Sequence, residues 1–126
     1  MTTTFKVPTQ GRLQSIFLAL GPYLRKLKTE ENCYFFDSLG VCLDVEAEPD
    51  KREFWGWWFK LTVEEGGCSA HYKFGLYDLE GEWQAVKVPK EHQVELQTLL
   101  DDFITKLAES LKTNFNLDMT VKKTAV

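Results

Sequence analysis

Side chains able to do covalent or metal chemistry are few in this sequence. The two histidines, His71 and His92, are far apart and have no Asp or Glu at metal-ligand spacing. Three cysteines, Cys33, Cys42 and Cys68, cannot all pair, and no two have a Cys-x-x-Cys spacing. They read as reduced thiols, and Cys42 beside Asp44 has no cation in sequence to lower its pKa. No Gly-x-Gly-x-x-Gly, phosphate loop or nucleophile elbow occurs. The expectation is therefore a protein with no catalytic residue, no metal ligand and no cofactor.

Aromatic residues are the abundant resource, at 13% of the chain, and more than half fall between Phe54 and Trp83. In strict alternation Trp55, Trp57, Phe59, Leu61 and Val63 share one strand face, while Arg52, Phe54, Trp58 and Lys60 share the other. A sheet covered by helix on one face has no structural need for large aromatics on the second. Either the first helix covers that second face, or the face is an aromatic patch beside Arg52, a composition typical of interface hot spots. Composition leaves these two readings level. A third reading stacks single-stranded bases on the same rings. Against it stand Glu46, Glu48, Asp50, Glu53, Glu64 and Glu65, which would repel phosphates. The balance of 15 Lys+Arg against 19 Asp+Glu, net −4, also argues against a duplex DNA reader.

The elements that must position these residues follow from periodicity. Leu13, Ile16, Phe17, Leu20, Leu24 and Leu27 recur at helical spacing behind a possible Thr9 N-cap, with a kink or stop at Gly21-Pro22. Strands are predicted over Tyr34 to Val45, Arg52 to Val63, Ala70 to Leu76 and Trp83 to Val88, with a bulge near Asp37 to Gly40. Short connections imply antiparallel hairpins. Leu96, Leu99, Leu100, Phe103, Ile104, Leu107 and Leu111 predict a long amphipathic helix from about residue 90 to 113. The polar stretch from Asp118 reads as a fraying end.

The fold class is thus α+β: a four-stranded antiparallel sheet with an N-terminal helix and a long C-terminal helix packed on it. With 44% hydrophobic residues in 126, one domain over residues 1–126 is expected, ordered from about 9 to 117. The N-terminus lacks a signal-peptide apolar run, and Ile16 to Leu20 is too short to span a bilayer. A cytoplasmic monomer without membrane contact is the expectation.

The strings Leu20-Gly21-Pro22-Tyr23, Phe35-Phe36-Asp37, Arg52-Glu53-Phe54-Trp55-Gly56-Trp57-Trp58 and Phe74-Gly75-Leu76, followed by Trp83, closely resemble the Crl family of Gram-negative bacteria. The match keeps one order from about Gly11 to Leu117. The resemblance implies a transcription activator that binds domain 2 of the stationary-phase sigma subunit, sigma S. It implies that the protein promotes sigma assembly with core RNA polymerase without reading DNA. By motif, the sigma-contacting residues implied are Tyr23, Arg52, Phe54, Trp57 and Trp83, with Pro22 and Asp37 in second rank. In this reading the four aromatics form a desolvated centre and Arg52 pairs with a sigma carboxylate. Strict alternation puts Phe54 and Trp57 on opposite faces. A place for Phe54 in the loop before the strand is favoured, with a bulge at Gly56 as the alternative, and Trp55 and Phe59 are then core. Ser38 stands where relatives often carry Cys, the tail is short, and the loop from Glu46 to Lys51 differs in detail. The alternative function is a small single-stranded nucleic-acid module built on the same aromatic cluster.

Overall fold

A computed structural model describes residues 9–21, 23–25, 29, 30, 32–44, 46–64 and 66–123. Helix α1, Gln10–Leu18, starts where the Thr9 hydroxyl accepts the Arg12 N–H at 3.4 Å. It stops sooner than the leucine spacing predicts, because the chain turns at Gly21 with φ 139. Beyond the turn Leu24 is extended rather than helical and bridges Phe36. The amides of Asp37 and Arg25 donate to the carbonyls of Tyr23 and Phe35 at 3.0 and 2.8 Å, so residues 23–25 run along the sheet edge. Pro22 and Leu27 lie outside the described residues.

Strands β1 (Cys33–Cys42), β2 (Phe54–Glu64), β3 (Gly67–Tyr77) and β4 (Trp83–Gln84) form an antiparallel meander in that order. A short 3-10 turn, Pro49–Lys51, leads into β2. Register shifts once, between Leu39 and Val41, so the predicted bulge is at Gly40. A Cβ there would run into the Leu96 side chain, so any larger residue requires Leu96 to move. Gly56 carries no bulge and pairs regularly with Leu39 and Gly75. Phe54 is the first residue of β2, paired with Cys42 and Tyr77. The loop placement favoured from sequence is therefore corrected: the charged segment after Pro49 ends at Glu53, and the strand begins at the next residue, Phe54. The predicted last strand is cut to two residues, after which the chain leaves the sheet toward Pro89.

Helix α2, Lys90–Phe115, buries Leu96, Leu100, Phe103, Leu107 and Leu111 at the spacing of one helical face. Leu99, predicted in the same stripe, sits at its margin and is exposed. Asn116 ends the helix in the left-handed conformation, with its N–H on the Lys112 carbonyl and that of Leu117 on Leu111. The chain then forms β5, Met119–Lys123, parallel to Cys68–Tyr72 of β3. This corrects the expectation of a fraying end: Leu117 is buried, and Met119 and Val121 pack against the core.

Both helices cover the same sheet face. Phe17 of α1 meets Tyr34 and Phe36 edge-on at 5.1 and 5.4 Å. Phe103 of α2 lies within 5.0 to 5.2 Å of Tyr23, Phe36, Trp57 and Phe59. Each such aromatic side chain, fully buried, stabilises by about 1.5–3 kcal/mol through area removed from water. Among the described residues no helix packs on the opposite face.

Candidate functional site: an aromatic patch on the open sheet face

Register decides which of the singled-out residues lie together. Phe54, Tyr77 and Trp83 stand opposite one another across β2, β3 and β4, on the face that carries no helix. Trp58 shares this face and continues the row: it meets Trp83 edge-on at 6.2 Å and stacks with Phe35 at 6.2 Å. Lys73 places its ammonium 5.4 Å from the centre of the Trp83 ring. Phe35, Phe54, Trp58 and Trp83 all keep part of their surface exposed.

Trp83 is held by its surroundings rather than by its two-residue strand. Its indole lies flat over Gly75, where a Cβ would be 2.6 Å from the ring. The turn before it is organised by the Asp78 carboxylate, which accepts the N–H groups of Glu80 and Glu82 at 3.0 Å and the Gln84 side-chain amide at 2.9 Å. The Glu82 backbone bond leads in holding the Asp78 carboxyl below its ordinary value. Tyr77 packs over Gly56. Burial first, and the Asp37 carboxylate second, push its hydroxyl pKa upward.

Arg52 precedes β2 by two residues, at the edge of this patch. Its Nε donates to the Ala47 carbonyl at 3.0 Å, which anchors the loop and fixes the guanidinium. Asp37 lies on the same face in β1, buried at 6% exposure, and accepts from Arg25 Nε at 2.5 Å. That pair ties the Tyr23–Arg25 segment to the sheet.

Trp57 and Tyr23 are placed differently. Trp57 points to the helix-covered face and has no exposed surface. Tyr23, half-buried at the margin of that face, stacks on it at 5.8 Å and 25°. The set expected to form one desolvated centre is thus divided by the sheet. Phe54, Trp83 and Arg52 are on the open side, and the Tyr23–Trp57 stack is on the packed side. Phe59 is core as expected, whereas Trp55 is only half-buried and stacks with His92 at 6.5 Å. His92 is thereby partly covered. Sequence reasoning missed Tyr77, Gly75 and Arg25. Extending the β3 alternation past Leu76 would have put Gly75 and Tyr77 on the open face, whereas the Arg25–Asp37 pairing has no local signal.

All three cysteines are free, and among the described residues no three His, Cys, Asp or Glu side chains are placed to hold a metal ion. Among the described residues no helix is long and apolar enough to cross a membrane. What the patch offers is aromatic surface, one anchored guanidinium and a lysine, which is equipment for binding.

Comparison with known proteins identifies the group. The family described as "Sigma factor-binding transcriptional regulator Crl" matches residues 1–126. This chain belongs to the Crl family. It is 41% identical over 119 residues to the sigma factor-binding protein Crl of Vibrio vulnificus strain YJ016, covering 94% of this chain and 92% of that one. The Photobacterium profundum protein of the same name is 42% identical, covering 94% and 90%. The Vibrio cholerae protein from strain N16961 is 41% identical over 121 residues, covering 96% and 94%. Crl proteins are sigma factor-binding regulators of transcription.

Proposed function

We propose that this protein binds domain 2 of sigma S through the open-face patch and promotes assembly of that sigma subunit with core RNA polymerase. The observation that carries the reading is an aromatic row, Phe35, Trp58, Trp83 and Phe54, on a sheet face that no helix covers among the described residues, in a sigma factor-binding family. Phe54 and Trp83 supply the desolvated centre. Arg52 pairs with a sigma carboxylate, because its planar fork matches that geometry and is held by Ala47. Tyr23 makes a contact at the sheet margin, and Trp57 acts beneath it by fixing its ring. Pro22 and Asp37 are second-rank contributors, and Asp37 acts on the same segment through its bond to Arg25.

Activation then follows from linkage. A partner that prefers the core-competent form of sigma raises sigma's affinity for core, and about 1.4 kcal/mol of preference gives a tenfold gain. The protein works as a cytoplasmic monomer that reads no DNA. In the test, Arg52→Ala loses sigma S binding while its far-ultraviolet spectrum and melting temperature match wild type. An Arg52→Ala variant that binds normally removes the assignment.

A further inference from the structure

A second surface borders the aromatic patch at Lys73, whose ammonium also lies over the Trp83 ring. Where the chain leaves β4 and enters α2, it opens a trough of about 520 Å³ with a smaller inner arm of about 60 Å³. Phe74 and Gln93 line both, so the two are adjacent. Val86 and Val94 form its apolar lips, exposed at 45% and 69%, and neither serves the core. Gln93 closes the floor by donating to the Val88 carbonyl at 2.6 Å.

Charge gives this trough its character. The whole chain carries −4, yet the lining includes Lys73, Lys87 and Lys90 and no acid. Among the described residues none of these lysines is in an ion pair. Of the acids on the first turns of α2, Glu91 and Glu95 face His92, while Asp101 accepts from the lining Gln97. The start of α2, which Pro89 leaves without a side-chain cap, adds positive potential at the same end.

We propose that this trough docks an acidic, extended peptide segment of a partner protein, which seats one apolar side chain between Phe74 and Val94. The three lysines give such a segment its complementary charge, and the apolar lips account for valines that folding does not require. Nucleic acid fits less well, because Phe74 is the sole aromatic ring in the lining. This proposal stands apart from the sigma S reading, although the two surfaces share Lys73 at their border, and the variants that test it leave Lys73 in place.

The test is an amide-resolved NMR titration of the full chain with a synthetic peptide of Asp and Glu flanking a single Leu. The same peptide with Lys for every acid, and oligothymidylate, serve as controls. The acidic peptide is expected to shift the amides of Phe74, Lys87 and Val94 saturably. The Lys87→Glu/Lys90→Glu double variant and Val94→Glu should each weaken it about tenfold, with sigma S binding and melting temperature retained. Unmoved amides, or equal affinity in the charge-reversed variant, overturn the proposal. Tighter binding of oligothymidylate at those amides overturns it as well, in favour of nucleic acid.

Discussion

At the scale of single residues, burial separates contact from support. Trp57 has no exposed surface and touches Tyr23 and Phe103, so its removal acts through packing. Trp57→Ala is expected to cost about 3–5 kcal/mol of stability in a urea melt. Trp57→Phe, which keeps a ring under Tyr23, should retain the fold and most sigma binding; complete loss of binding with an intact fold would make the indole itself a contact. Cys68 gives a pH prediction. Burial, with Glu64 adding, raises its thiol from the ordinary 9.0 to about 11. The folded state therefore holds its proton more tightly than the unfolded state. The associated stability is complete below pH about 9 and is lost as pH rises toward about 11. A melting temperature that falls over that window, and falls less in Cys68→Ala, checks the sign. Tyr77, whose pKa is also raised, adds to the loss from about pH 10 upward.

At the scale of elements, the glycines of the open face decide where aromatic rings can lie. Gly75→Ala would put a methyl 2.6 Å from the Trp83 ring and 2.7 Å from the Gln84 carbonyl, so β4 must shift. We expect about a tenfold loss of sigma affinity and a changed tryptophan emission, with the core intact. An unchanged affinity would mean that Trp83 placement is not limiting. Removing residues 118–126 strips β5 from Cys68, whose N–H donates to the Asp118 carbonyl at 2.9 Å. Faster reaction of that thiol with a disulfide reagent is the expected result, and an unchanged rate would show that β5 does not guard it. The amphipathic α2 was legible because its leucines repeat over many turns. The order of the four antiparallel strands followed from short connections. What sequence could not give was set by distant contacts. Residues 23–25 are extended because β1 lies beside them, and β5 exists because β3 has an open edge. Phe54 belongs to the strand because Tyr77 and Cys42 pair with it.

At the scale of the whole molecule, two helices pack on one sheet face and, among the described residues, none on the other, which is the face the proposed function gives to sigma. The candidate residues were legible as a list, from the tryptophan-rich string and the family resemblance. Their division between faces was not, because alternation says which residues share a face and never which face is covered. An aromatic protein interface predicts only mild weakening of sigma binding between low and moderate salt, where contacts to many phosphates would weaken it steeply. The most direct measurement is a titration of the purified protein against sigma S and against the housekeeping sigma, each without core polymerase or DNA. Saturable binding to sigma S alone, lost in Arg52→Ala, is the result this account predicts. Equal binding to both subunits, or binding to neither with retention on single-stranded DNA, would contradict it.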